Sequence, residues 1–133
     1  MKIIKLTILF ILNTIISFNS SCENINSDYK IENIKIINTR VKDDTLLLCY
    51  SIPLETMYYS PGINYSYNKK TKFIEIYVVR QKINSQKRVM VSSKLIENDS
   101  AMCKKNYYLI KIPLLKGWDI DKNNPSIQIL NRK

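Results

Sequence analysis

The run Leu46-Leu47-Leu48-Cys49-Tyr50-Ser51-Ile52, closed by Pro53, is an almost unbroken apolar stretch. A short apolar run stopped by a turn residue has the length of a strand buried on both faces rather than of a helix. It is the best candidate for a central strand, and reading outward from it in both directions finds β patterning throughout.

Upstream, Ile34 and Ile36 alternate with Lys35 and lead into a polar segment, 38–44, that contains Lys42-Asp43-Asp44 and reads as a turn. Downstream, Ser60-Pro61-Gly62 divides residues 57–68 into a loop and a strand over 63–67. Asn68-Lys69-Lys70-Thr71 then turns the chain into KFIEIYVVRQKI, where Ile74, Ile76 and Val78 fall on one face and Glu75 and Tyr77 on the other. A turn over 84–86 precedes residues 88–96, with Val89, Val91 and Leu95 expected to face inward and a short helix over 93–98 as the alternative. After a polar stretch, 97–106, the segment YYLIKIPLL sets Tyr108, Ile110 and Ile112 on a common face. Pro113 and Pro125 bracket a polar excursion containing Gly117-Trp118-Asp119, and the last strand is expected over 126–130. No amphipathic helix of three turns interrupts this series. The class is all-β, and six or seven strands at this spacing predict a small antiparallel β-sandwich over residues 31–133.

The N-terminus has a different character. Lys2 and Lys5 precede an apolar stretch from Leu6 to Phe18, the charge and hydropathy pattern of a secretory signal peptide. The stretch is shorter than the about 20 apolar residues a membrane span wants, although an uncleaved anchor is an alternative. Asn19-Ser20-Ser21-Cys22 resembles the bacterial lipobox, in which small residues precede a cysteine that is acylated and becomes the new N-terminus. Ser20, Ser21 and Cys22 fit that pattern, while Asn19 stands where an apolar residue is usual. The resemblance implies a signal peptide over 1–21, a lipidated Cys22, a polar tether over 22–30 and a lipoprotein held at the membrane of the cell envelope. Cleavage by ordinary signal peptidase near Ser20 or Ser21 would instead give a soluble periplasmic or secreted chain.

Cysteine arithmetic bears on the choice. The chain has three cysteines, and an exported protein with an odd number keeps one unpaired thiol. With lipid on Cys22, Cys49 and Cys103 remain as an even pair in an oxidising compartment; two separate buried thiols are the other possibility. The spacing of that pair invites comparison with an immunoglobulin domain, where a disulfide joins two sheets. No Trp lies in the strand following Cys49 and no Tyr stands two places before Cys103, so the likeness extends only to two packed sheets.

Subtracting Lys2 and Lys5 from the 21 basic residues leaves 19 against 11 acidic ones, a formal charge near +8 beyond the leader. The abundance of Ile, Asn and Lys follows the codon bias of an AT-rich genome, and most of the lysines stand where turns are expected, as at Lys69, Lys70, Lys72, Lys104 and Lys105. Anionic lipid, an acidic glycan or an acidic protein are the partners such charge would suit. Nucleic acid is not expected of an exported chain.

Catalytic chemistry has few candidates. The chain contains no His, which removes the commonest general base and metal ligand. Glu55, Glu75, Glu97, Asp99, Asp119 and Asp121 are the acids a carboxylate-dependent hydrolase would draw on. Asp119 to Asn124 resembles the opening of a calcium loop, but Asn124 replaces the required Gly and Leu130 the closing Glu, so a polar turn is the expected structure. No catalytic residue, metal or cofactor is assigned. The unusual concentration is aromatic: Tyr58, Tyr59, Tyr65 and Tyr67 surround Ser60-Pro61-Gly62, with Trp118 in a later loop. Tyr and Trp favour interfaces, and these five are the candidate partner-binding residues. The expected function is that of a non-catalytic envelope module binding an envelope or secreted protein. The alternatives are a secreted basic inhibitor or immunity-type protein and an envelope hydrolase.

Overall fold

A computed structural model describes residues 28–85 and 88–132. The chain folds into two four-stranded sheets packed face to face, with a small third sheet of two strands at one end. After a 3-10 turn at Ile31–Asn33, the strands are β1 (Lys35–Lys42), β2 (Thr45–Ser51), β3 (Tyr58–Tyr59), β4 (Gly62–Asn68) and β5 (Phe73–Val78). The series continues with β6 (Gln81–Lys82), β7 (Val91–Ser92), β8 (Lys94–Leu95), β9 (Tyr108–Pro113) and β10 (Ile127–Ile129). The first sheet has the order β1-β2-β9-β8, the second β10-β5-β4-β7, and β3 pairs with β6.

The apolar run at 46–52 is a central strand, as expected: β2 lies between β1 and β9, and Leu46, Leu48, Cys49 and Tyr50 are fully buried. Its two faces are buried by different means. Leu46, Leu48 and Tyr50 join Ile110 and Ile112 of β9 in the core, where they meet Ile63, Ile74, Ile76 and Val78 of the second sheet. Cys49 points the other way and is bonded to Cys103, with the Cα atoms 5.6 Å apart. The disulfide therefore does not join the sheets in the immunoglobulin manner. It straps the 97–106 segment across the outer face of the first sheet, where Asn38 Nδ2 also donates to the Met102 carbonyl at 3.3 Å.

Strand number and boundaries differ from expectation where the elements are short or polar. Four of the ten strands have two residues each, too few to leave a periodic trace. The segment 38–44 is not a long turn: β1 runs to Lys42, and Asp43 and Asp44, at φ 50° and 58°, make a two-residue hairpin turn. Two positive φ values are the mark of the turn whose twist matches its flanking strands, and Asp tolerates them better than most residues. An irregularity between Ile36 and Asn38 shifts the register, so that Ile37, Thr39 and Val41 are the half-buried positions. The segment 93–98 holds β8 rather than a helix, and Leu95 is exposed instead of facing inward. The final strand pairs with β5 in parallel, unlike every other ladder in the two sheets.

The domain also begins earlier than Ile31. Tyr29 is buried, its amide donates to the Val78 carbonyl at 2.9 Å, and Asn131 Nδ2 donates to the Tyr29 carbonyl at 2.6 Å. Asp28 accepts from the Arg132 backbone amide at 3.1 Å. Residues 28–30 thus belong to the folded body, clasped to the end of the chain, and not to a tether. Cys22 and residues 1–27 lie outside the described residues.

Candidate functional site

The five aromatic candidates divide into two groups at opposite ends of the β4–β5 hairpin. Alternation along β4 turns Tyr65 and Tyr67 to the side of Ile63, the core side, while Asn64 and Ser66 face out. Tyr67 stacks on Trp118 at 5.1 Å between ring centroids, and Tyr65 meets the same indole edge-on at 6.2 Å. The Tyr67 hydroxyl accepts from the Asp119 amide at 3.0 Å and donates to the Asp119 carbonyl at 3.2 Å. Lys72 adds an ion pair to Asp119 at 2.7 Å. Gly117, at φ 92°, makes the bend that brings the indole back over the sheet. All three rings pack half-buried against the core, so the trio closes one end of the sandwich. Beside it, Leu114, Leu115, Trp118, Ile120 and Lys122 border an open hollow of about 190 Å³, smaller than the roughly 300 Å³ at which pockets for drug-sized ligands begin.

Tyr58 and Tyr59 sit on β3, paired with Lys82 and Gln81 of β6. The Arg80 guanidinium lies 3.5 Å from the Tyr58 ring centroid and grips Glu55 through two bonds, Nε to Oε2 at 3.0 Å and Nη2 to Oε1 at 2.8 Å. Tyr29 completes the group by donating its hydroxyl to Glu55 Oε2 at 3.1 Å. Tyr58 is consequently half-occupied by its own chain. Tyr59 is the freer ring, and Leu54, Met57 and Ile83 beside it in sequence or across the ladder are also exposed, Leu54 at 98%. The Met57 carbonyl accepts from the Ile83 amide at 3.0 Å, which brings these two side chains to one end of the small sheet. Leu54 and Ile83 escape a search for aromatic clusters, because single aliphatic residues in polar loops carry no pattern.

Burial governs the titration of the inner tyrosines. Tyr50, stacked on Tyr108 at 5.5 Å and bonded to Ser60 Oγ at 2.7 Å, is pushed up to about 12 by desolvation. Tyr29 rises further for the same reason, with Glu55 adding to the effect. Glu55 moves the other way: the bonds from Arg80 hold its carboxyl below the usual range, helped by the Tyr29 hydroxyl and opposed by burial.

A folded pKa below the unfolded one means that Glu55 stabilises fully above the ordinary carboxylate range, and that this contribution is lost as pH falls through the folded value. The pair is worth about 1 kcal/mol or less at its partial exposure. Glu55→Gln should therefore melt below wild type near neutral pH by a margin that shrinks as pH falls below the ordinary carboxylate range. A margin constant across that interval would mean that the pair contributes nothing.

Three of the remaining candidate acids are each engaged with a separate partner. Asp119 pairs with Lys72, Asp99 accepts from the Lys105 amide at 2.7 Å, and Asp121 accepts from the Asn123 amide at 2.9 Å. The last bond closes the 119–124 segment as a turn on its own backbone, as its sequence suggested. Among the described residues no three His, Cys, Asp or Glu side chains stand together in a way that would hold a metal ion.

Comparison with known family models, with curated proteins and with solved structures finds no match to this chain. The class that fold and site define is accordingly a disulfide-strapped, all-β sandwich. The disulfide points to an oxidising, extracytoplasmic environment.

Proposed function

We propose that this chain is an exported lipoprotein of the cell envelope, acylated at Cys22, whose sandwich acts as a non-catalytic module that binds another protein. The Cys49–Cys103 bond is the observation that carries the reading. It uses two of the three cysteines, and acylation accounts for the third, which would otherwise be an odd thiol in an oxidising compartment. The exposed set Leu54, Met57, Tyr59 and Ile83 supplies apolar contact area on and beside the β3–β6 ladder. Aromatic and methionine side chains are favoured there in protein interfaces.

Radiolabelled palmitate tests the anchor. Label should enter the wild-type chain and vanish in Cys22→Ala. Absence of label, or label that survives the substitution, would overturn the reading.

A further inference from the structure

Strand register gathers basic residues that are far apart in sequence. Cross-strand partners share a face, and Leu46, Leu48 and Tyr50 of β2 point into the core, so Thr45, Leu47, Cys49 and Ser51 point out. Their partners on β1 are Lys42, Arg40, Asn38 and Lys35. On β9 the outward partners of Leu47 and Cys49 are Lys111 and Leu109, and Lys94 of β8 pairs with Leu109. The outer face of the first sheet therefore carries Lys35, Arg40, Lys42, Lys94 and Lys111, and its strands carry no acid. All five are exposed, and none takes part in an ion pair among the described residues. The strapped 97–106 segment crosses near Cys49, leaving Arg40, Lys42 and Lys111 as the open cluster. The outer side of the second sheet is different: its charged strand residue is Glu75, which accepts from Asn68 Nδ2 at 2.9 Å.

We infer that this face docks on an anionic lipid surface. Strand geometry spaces Arg40 from Lys42 by about 7 Å along β1 and from Lys111 by about 10 Å across two strands. Such an array of exposed cations fits a plane of negative headgroups, which requires charge and no shaped complement. A protein partner would call for different chemistry: lysine is depleted and aromatic anchors are enriched in interface cores, and the outward residues of these four strands include no aromatic ring. Independent support comes from chain length, and this part alone rests on the proposed acylation. Five residues, 23–27, separate Cys22 from Asp28, a reach of about 20 Å at full extension, so an acylated chain would hold the sandwich within contact distance of the bilayer.

The test uses the chain without its leader, residues 22–133 carrying Cys22→Ala, so that neither acylation nor the apolar leader plays a part, and measures co-sedimentation with vesicles. One set contains phosphatidylglycerol in phosphatidylcholine, the other phosphatidylcholine alone. Binding should require the anionic lipid and fall with added salt. Each neutralised cation should weaken partition about fivefold, so Arg40→Gln, Lys42→Gln and Lys111→Gln together should lose about 100-fold. Lys69→Gln, Lys70→Gln and Lys82→Gln together remove the same charge from elsewhere and should lose less than tenfold, with melting temperatures confirming that both variants fold. Equal losses in the two triple variants, equal binding to both vesicles, or complete release by soluble polyglutamate at matched charge would overturn the inference, the last favouring an acidic protein. Because the palmitate experiment reads a different atom, failure of either test leaves the other interpretable.

Discussion

Replacing Cys49 and Cys103 together by alanine is expected to lower stability by about 4 kcal/mol, the loop-closure value for a cross-link spanning 54 residues. Against the 5–15 kcal/mol that holds a typical domain together, the loss is large, and it should lower the melting temperature by roughly 20 °C. The argument does not stop at the unfolded chain. The 97–106 segment has little apolar surface to hold it against the sheet. Its bonds, such as Ser100 Oγ to the Cys103 carbonyl at 3.0 Å within it and the Asn106 amide to the carbonyl of Ile96 just before it at 2.9 Å, close it upon itself rather than onto β2. Without the covalent strap, the outward side of β2 at position 49 would open to water. Two measurements check this: the melting temperature of the double variant, and that of wild type before and after reduction. Reduction should reproduce the variant's loss and leave the variant unaffected. A wild-type chain with two titratable free thiols and an unchanged melting temperature would refute the account.

The contrast between the strap and the strands shows which features sequence patterning can reach. In β5 and β9 one side faces the core and the other solvent, so Ile74-Ile76-Val78 and Tyr108-Ile110-Ile112 announce both strand and face. β2 is recognisable for the opposite reason, being covered on both sides. β1 resists reading because it is an edge strand whose register shifts between Ile36 and Asn38, and its inward set of Ile37, Thr39 and Val41 includes a hydroxyl. Its polar second half looks like loop, and that misreading hides the basic face, since Arg40 and Lys42 join Lys111 only once 38–42 is known to be strand. Parallel pairing of β10 with β5, and docking of the strap on β2, are long-range facts with no local signal. Among the site candidates, alternation correctly sets Tyr65 and Tyr67 on one face. It carries no information on Trp118 arriving from a loop 51 residues after Tyr67, nor on Arg80 claiming Tyr58.

Gly62→Ala is expected to cost about 3 kcal/mol, although Gly62 needs no unusual backbone angle. A methyl group there would overlap the Val91 carbonyl oxygen and come within 3.0 Å of Ser92 Cα. Both obstacles are backbone, so no rotamer change relieves them, and β7 must move away from β4. That movement threatens the Gly62–Ser92 and Ile63–Val91 pairings, and with them the bonds from the Met90 amide to the Ile63 carbonyl at 3.1 Å and from the Ser93 amide to the Pro61 carbonyl at 3.0 Å. Each such bond contributes about 1 kcal/mol net, and overpacking of a tight site typically costs 1–3 kcal/mol. The chain's other glycine is the natural control. Gly117 has φ 92° but open space around its Cα, with nothing within 4 Å of an added Cβ, so Gly117→Ala should cost about 1 kcal/mol through backbone conformation alone. Thermal melts of the two variants should rank them in that order. Amide exchange should rise at Met90 and Ser93 in Gly62→Ala while remaining unchanged there in Gly117→Ala. The reverse ranking, or protection at Met90 and Ser93 equal to wild type in Gly62→Ala, would mean that β7 does not depend on the close approach of β4.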